Sequence, residues 1–222
     1  TLTNFPSGIA SFGIPVLGGG GIPPTTGSVF FVHSGTGLAG NNGTSPETPL
    51  ATIDQAINKC TASKGDVIVV MPGHAENISA ATSLVPDIAG IQIVGLGRGR
   101  NRPVLTFTNT AGKIAITGAN TRISNLVFIS SVSAVVTGIS VEADDVEIDH
   151  CYIGFDATGD DFAIMVLVSA KDRLSFHDNH CVAENTAGCN AGLQFVDALD
   201  TQIFSNIFEG DLARLGLENA NK

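Results

Sequence analysis

Apolar and polar residues alternate in short runs that recur at a nearly constant interval through the second half of the chain. Equivalent positions in five successive repeats are Leu96, Leu126, Cys151, Asn179 and Asn206, with spacings of 30, 25, 28 and 27 residues. Short strands at this period, with Asn, Asp or Gly at the corners, are typical of a parallel β-helix. In such a solenoid each coil pairs its backbone with the coils above and below it.

The alternation also predicts which side chains fill the interior. One inward set lies three residues before the positions above and consists of Ile93, Ile123, Ile148, Phe176 and Ile203. A second set follows those positions and consists of Phe128, Ile153, Cys181 and Phe208. The preceding strand of each coil contributes Ile114 and Ile116, Ile139 and Val141, Val166 and Val168, and Leu193 and Phe195. Because successive coils lie about 4.8 Å apart, each set should form a continuous ladder.

An antiparallel β-sandwich is the alternative fold, since it also has short strands and frequent turns. Two-residue Asn-Gly hairpins, which would join antiparallel neighbours, do not occur between the paired strands. A sandwich also has no reason to keep one register across five repeats. We therefore expect an all-β fold, a right-handed parallel β-helix, over residues 28–210.

Two segments outside the repeats complete the predicted organisation. Thr52 is a plausible N-cap, and Ile53, Ala56, Ile57 and Cys60 follow at helical spacing. This predicts an amphipathic helix near 52–62 that caps the N-terminal end of the solenoid. Residues 1–27, rich in Gly and Pro, are expected to form an extended arm, and residues 211–222 a C-terminal cap or tail.

Composition and charge narrow the possible partners. The net charge is −10, and no basic stripe is present to neutralise phosphates, so we expect no nucleic-acid partner. No apolar stretch is long enough to span a membrane, and no membrane partner is expected. The one basic group, Arg98, Arg100 and Arg102, is interpreted as a solvated turn between strands.

The segment GTSPETPLATIDQAINKC and the following GDVIVVMPGHAENI resemble the opening of right-handed β-helix proteins of the pectate-lyase-like superfamily. Residues matching that pattern are Pro49, Thr52, Ile53, Ala56, Ile57, Pro72, Gly73, Glu76 and Ile78, whereas His74 and Ala75 depart from the usual aromatic. The resemblance implies the fold. The resemblance does not indicate one function, because lyases, tailspikes and virion decoration proteins share this scaffold.

The uncharged arm together with a short helix-capped solenoid resembles virion proteins of tailed phages, in particular the trimeric cement or decoration proteins of phage heads. The resemblance implies a homotrimer on the capsid surface of the virion, assembled in the host cytoplasm, with the major capsid protein as partner. No cofactor and no metal are expected. A tail-associated spike or adaptor protein is an alternative with the same architecture.

Two sets of apolar residues are the candidate contacts for this assembly. Residues 1–46 contain no Asp, Glu, Lys or Arg, and an apolar arm needs a surface to lie on, either its own domain or a capsid. The predicted capsid contacts are Leu2, Phe5, Ile9, Phe12, Ile14, Val16, Leu17 and Ile22. The predicted trimer contacts are Ile129, Val132, Val135, Phe155, Phe162, Ile164 and Met165.

A polysaccharide lyase or hydrolase is the second alternative. The alignment places Asp149 beside His177 and His150 beside Asp178 on adjacent coils, where acid–base chemistry could be built. Against this, Trp is absent and Tyr152 is the one tyrosine, although sugar-binding sites usually use these side chains. We therefore expect a polar, solvated face at these residues, no catalytic residue and no enzymatic activity.

Overall fold

The computed structural model describes residues 22–184 and 189–212, together with the backbone of three short strands outside these ranges. Its regular structure is almost entirely β. The strands in chain order are β1 (Ala10–Ser11), β2 (Ile14–Pro15), β3 (Val29–Val32), β4 (Val67–Val70), β5 (Ala75–Ile78), β6 (Gln92–Gly95), β7 (Val104–Phe107), β8 (Ile114–Ile116), β9 (Arg122–Ser124), β10 (Val127–Ser130), β11 (Ile139–Val141), β12 (Glu147–Asp149), β13 (Tyr152–Phe155), β14 (Ile164–Ser169), β15 (Ser175–His177), β16 (His180–Val182), β17 (Ala191–Val196), β18 (Gln202–Phe204), β19 (Ile207–Glu209) and β20 (Leu217–Asn219).

Three parallel sheets surround one interior. The seven-stranded sheet has the order β18-β15-β12-β9-β6-β4-β3, the six-stranded sheet β19-β16-β13-β10-β7-β5, and the five-stranded sheet β20-β17-β14-β11-β8. Five successive coils, from β6 to β20, each contribute one strand to every sheet, so the chain is a parallel β-solenoid of about five turns. The predicted all-β solenoid is confirmed, and its right-handed winding stays a prediction.

The predicted interior ladders are confirmed residue by residue. The inward residues of the seven-stranded sheet pair in the order Ile93, Ile123, Ile148, Phe176 and Ile203. The six-stranded sheet aligns Phe128, Ile153, Cys181 and Phe208, and the five-stranded sheet aligns Ile114, Ile139, Val166 and Leu193. All three sheets contribute to one hydrophobic core, whose removal from water is the main stabilising term.

The helix is shorter than the predicted 52–62. Helix α1 spans Ile53–Ile57, and Thr52 closes its first turn in a reciprocal capping box with Gln55. A 3₁₀ turn at Gly99–Asn101 is the other described helical segment. The apolar residues of α1 are buried in the core, next to β3 and β4. Its role as the cap of the solenoid stays a prediction. Within the described ranges no helix is long and apolar enough to cross a membrane.

Two asparagine side chains at the corners form hydrogen bonds from one coil to the next. Asn179 Oδ1 accepts the Cys151 N–H at 2.9 Å, and its Nδ2 donates to Ile148 O at 2.9 Å. Asn206 repeats this one coil later by accepting the Asn179 N–H at 2.9 Å and donating to Phe176 O at 2.8 Å. Asn179 and Asn206 therefore form an asparagine ladder, which satisfies buried backbone groups where the chain leaves one sheet for the next.

The predicted trimer contacts divide into two groups. Val135, Phe162 and Met165 have 0% exposed surface and belong to this chain's own core, so the prediction is wrong for these three. A side chain with no exposed surface cannot contact another copy. The other four, which are Ile129, Val132, Phe155 and Ile164, are half-buried, and their contact with neighbouring copies stays a prediction.

The predicted arm lies mostly outside the described residues. This holds for Leu2, Phe5, Ile9, Phe12, Val16 and Leu17, and Ile14 is described in its backbone alone, as part of β2. Ile22 is half-buried against Val67, Val69 and Val94, an apolar cluster on the outside of the seven-stranded sheet. This residue of the predicted capsid set therefore packs on its own chain. At the other end, β20 extends the five-stranded sheet past residue 210 by pairing with β17.

Candidate functional site

The outer face of the seven-stranded sheet changes from apolar to charged along the solenoid. One outward ladder runs through Phe31, Val69, Val94, Ser124, Asp149, His177 and Phe204. The other runs through Val29, Val67, Gln92, Arg122, Glu147, Ser175 and Gln202. Successive side chains of each strand point to opposite faces of the sheet. The inward side chains fill the apolar core, so the outward positions can be polar or charged. Charges concentrate on β9, β12 and β15.

Asp149 is a buried carboxylate at the centre of this face. Arg122, one coil earlier, donates from Nε to Oδ1 at 2.9 Å and from Nη2 to Oδ2 at 2.8 Å. Ser124 Oγ donates to Oδ2 at 2.9 Å. Burial opposes ionisation, but the hydrogen bonds from Arg122, His150 and Ser124 outweigh it and hold the pKa of Asp149 below its usual value. Asp149 is therefore an ionised acceptor held in one orientation.

His150 forms a dyad with this carboxylate. Its Nδ1 lies 2.6 Å from Asp149 Oδ2. Since an ionised carboxylate only accepts hydrogen bonds, Nδ1 donates in this contact, and Nε2 is the ring nitrogen that is not bonded to the carboxylate. The side chain of His150 is 60% exposed, whereas that of Asp149 is 0% exposed. The dyad thus presents a basic nitrogen at the surface on a buried anionic support.

A pocket of about 580 Å³ opens beside the dyad. It is lined by Val94, Gly95, Leu96, Gly97, Arg98, Arg122, Ser124, Asn125, Asp149 and His150. Its charged lining consists of two arginines and one carboxylate, in a protein of net charge −10. Arg98 is exposed, and no acid pairs with it within the described ranges. Because Arg122 is paired with Asp149, Arg98 supplies the unpaired positive charge of the lining, which favours an anionic ligand.

His177, one coil beyond Asp149, bridges two acids. Its Nδ1 lies 2.8 Å from Asp178 Oδ2, and its Nε2 lies 3.2 Å from Glu147 Oε1. Burial opposes the charged form, but the hydrogen bonds to Asp178 and Glu147 raise the pKa of His177 above its usual value. Glu147 also lies 3.4 Å from Arg122, so a network of charges connects His177 with the support of the dyad.

An exposed aromatic surface adjoins the dyad. The ring of Phe204 stacks on His177, with 4.6 Å between centroids and 6° between planes. His150 meets His177 edge-on at 6.3 Å. Phe204 is 48% exposed, so one flat apolar face is accessible on the same side of the solenoid as the pocket.

The sequence-predicted candidates are brought together as the alignment indicated. Asp149 pairs with His177 across adjacent strands, and His150 and Asp178 occupy the same left-handed corner position, with φ of 54° in both. Sequence reasoning missed Arg122, although aligning RIS with EID places it one coil before Glu147. Among the described residues, no group of three or more His, Cys, Asp and Glu side chains has the geometry to hold a metal ion.

The arginine turn differs from its interpretation as a solvated loop. Arg98 and Arg100 are exposed, but Arg102 is half-buried and donates to the carbonyl oxygens of Leu126 and His150. The turn is therefore attached to the corner that carries the dyad.

Comparison with known proteins gave one informative likeness. No family model and no curated protein matched the sequence. Among solved structures, a rhamnogalacturonan lyase matches with a TM-score of 0.52 and 13% sequence identity over 87% of this chain. The match covers 65% of that enzyme's chain, so this chain spans less than two thirds of its length. At this identity the likeness shows the fold, a β-helix shared with a polysaccharide lyase.

The prediction that the chain is not an enzyme is contradicted by this comparison, because a solved structure with this fold is a rhamnogalacturonan lyase. The prediction depended on the absence of Trp and the single Tyr. That count left out Phe204, whose stacking on His177 supplies an exposed aromatic surface on the same sheet face, two coils beyond Asp149.

Proposed function

We propose that the pocket beside Asp149 and His150 binds an acidic polysaccharide and cleaves it by β-elimination. One observation carries the proposal: a fully buried, ionised Asp149 orients an exposed His150 at the edge of a pocket that also contains Arg98. This arrangement supplies a base and a cation within one site. Both are needed to remove a proton from the carbon next to a carboxylate.

The chemistry follows from the dyad. His150 Nε2 takes the proton from the sugar carbon that bears the carboxylate, and Asp149 stabilises the imidazolium that forms. The electrons of the broken C–H bond form a carbon–carbon double bond, and the neighbouring glycosidic C–O bond breaks. The departing oxygen takes a proton from water. Arg98 offsets the negative charge that the sugar carboxylate gains in the transition state.

Two further features support a sugar ligand. The stacked rings of Phe204 and His177 offer a flat apolar face for the carbon–hydrogen side of a sugar ring. The shared fold supports the class of reaction, since the solved structure it resembles is named a rhamnogalacturonan lyase. The substrate of this chain is a proposal made from its own pocket, in which Arg98 favours an acidic sugar.

The test is turnover on polygalacturonate, rhamnogalacturonan and a neutral glucan, followed by the ultraviolet absorbance of the unsaturated acid that β-elimination forms. Wild-type protein should act on an acidic chain and not on the neutral one, and His150→Gln should lower kcat by roughly 100-fold or more. His180→Gln is the matched control, because His180 is also partly exposed but lies on the six-stranded sheet. Equal rates for wild type and His150→Gln would contradict the assignment.

We also propose, as a second candidate, attachment to a phage capsid as a homotrimer, with the major capsid protein as partner and the virion surface as location. One outward ladder of the six-stranded sheet is largely apolar and half-buried or exposed, and it consists of Val104, Val127, Tyr152, His180 and Ile207. The neighbouring ladder includes Ile129 and Val182. Exposed apolar faces of this kind often mark interaction surfaces.

Attachment and catalysis are compatible, because this apolar face and the pocket lie on different sheets. Light scattering of the purified protein tests the trimer, and Ile129→Lys should shift it toward monomer. Copy number per particle then separates a head location from a tail-associated spike or adaptor, since head proteins are present in many more copies. A monomeric wild type that does not bind capsids would contradict the second candidate.

A further inference from the structure

We propose that Arg102 is a positioning residue that holds the corner carrying His150 and the turn carrying Arg98 in one arrangement. The functional consequence rests on the proposed glycan site, whereas the positioning itself can be tested without any ligand. Arg102 does not line the pocket; it acts through the backbone of residues that do.

The guanidinium spans two coils. Its Nη2 donates to Leu126 O at 3.0 Å and also to His150 O. These carbonyls belong to corresponding corners of successive coils, one beside β10 and one directly after β12. A single side chain from the coil of β6 and β7 therefore connects its own corner turn to the next two corners.

The charge of Arg102 has no counter-ion in the described part of the chain. Its Nε is buried without a hydrogen-bond partner, and burial lowers the pKa of the guanidinium. Partial burial of a charge without a counter-ion costs free energy, and the hydrogen bonds to Leu126 O and His150 O offset that cost. A half-buried arginine that bonds to the corner of a candidate site is a candidate positioning residue.

The turn between β6 and β7 is fixed at both ends. Asn125 Nδ2 donates to Gly95 O at 2.7 Å and to Gly97 O at 3.2 Å, which fastens the start of the turn. Gly97 has φ +102°, and a Cβ there would lie 2.5 Å from Asn101 O, so the tight turn requires glycine. Arg102 fastens the other end. Arg98 lies between these two anchors and faces the pocket as part of its lining.

The backbone of His150 has the left-handed conformation that recurs at this corner in Asn125, Asp178 and Ser205. It has φ 54°, in the left-handed region that a side chain other than glycine disfavours. Its own amide makes a long contact of 3.4 Å to His177 O. The hydrogen bond from Arg102 to its carbonyl is an additional restraint on the backbone that aims the imidazole.

A double-mutant cycle tests the positioning. Arg102→Met should lower the melting temperature of the wild type, and most of that fall should disappear in a His150→Gly background, because glycine adopts the left-handed conformation without strain. Arg102→Lys, which keeps a donor, should recover most of the loss. The same fall in both backgrounds would overturn the proposal. If Arg102→Met does not fold, Arg102→Gln gives the same cycle.

Ligand binding provides the second readout. Arg102→Met should weaken the affinity for trigalacturonate by roughly tenfold, whereas Arg100→Met, an exposed arginine of the same turn, should leave it unchanged. The backbone resonances of His150 should move in Arg102→Met and stay in Arg100→Met. If wild type does not bind the acidic sugar, the glycan function fails, and the melting-temperature cycle still decides the role of Arg102. Unchanged His150 resonances in Arg102→Met would contradict the positioning role of Arg102.

Discussion

Asp149 and His150 are consecutive residues whose side chains form a 2.6 Å hydrogen bond, although one is fully buried and the other is largely exposed. The strand ends between them, and the left-handed backbone of His150 brings its ring back to the carboxylate. Arg122 and Ser124 complete the support from the previous coil. The stacking of coils in a solenoid is what places these four groups together.

Asp149→Asn should abolish turnover and lower the free energy of unfolding by about 2–4 kcal/mol. The substitution leaves Arg122 without its bidentate partner and removes the acceptor that fixes the tautomer of His150. Urea denaturation measures the stability change. Glu142→Gln is the control, because its pair with Lys113 is at the surface and should contribute about 0–1 kcal/mol. Equal losses in the two variants would contradict the central role of Asp149.

Asp161 should make the protein less stable as the pH rises from about 4 to about 6. Burial raises its pKa from 3.8 to about 6. The unfolded chain therefore releases this proton at lower pH than the folded chain, and stability from the protonated form is lost through this window by roughly 2–3 kcal/mol. The free energy of unfolding, measured across a pH series, should fall less between these pH values in Asp161→Asn than in wild type. The same fall in both proteins would contradict the role of Asp161.

His177 should contribute stability in acid that is lost as the pH rises. Its folded pKa is raised, so its stabilisation is complete below the unfolded value of about 6.5 and is lost as the pH rises through the folded pKa. His177→Gln should therefore be less stable than wild type in mild acid and close to it in alkali. Thermal unfolding of both proteins across this range gives the comparison. A constant difference at every pH would show that only packing on Phe204 is lost.

Asn179→Ala should destabilise the solenoid by about 2–4 kcal/mol. The substitution leaves the amide of Cys151 without its partner in a buried corner and removes a second bond, to the carbonyl of Ile148. Asn206→Ala, at the half-buried end of the same ladder, is the control and should cost less, because water can replace its bonds. Chemical denaturation ranks the two variants, and the reverse order would contradict the ladder's role.

The register of the solenoid was predictable because side chains along a strand alternate between the core and the outside. Residues such as Ile123 and Ile148 are inward and equivalent, and the same two-residue alternation turns Asp149 and Phe204 outward. The extent of the helix was not predictable, since Thr52 marks its start clearly while no comparable signal marks its end at Ile57. Val135, Phe162 and Met165 were misassigned because apolar residues in connections look alike whether they cover the core or face outward.

The candidate site was predictable in part. Alignment placed Asp149 near His177 and could have placed Arg122 beside Glu147 by the same rule. The contact of Arg102 with His150 O is different, because it joins a turn to corners on later coils. No periodic pattern describes such a contact, and only the geometry of the corners shows it.

Binding of an acidic oligosaccharide to ¹³C,¹⁵N-labelled protein, followed residue by residue by NMR, is the most direct test that the pocket is the functional site. Trigalacturonate should move the resonances of Arg98, Ser124, Asn125 and His150, and the stacked ring of Phe204, while those of Tyr152 and His180 on the six-stranded sheet stay in place. Shifts confined to another face, or none at saturating sugar, would contradict the glycan site.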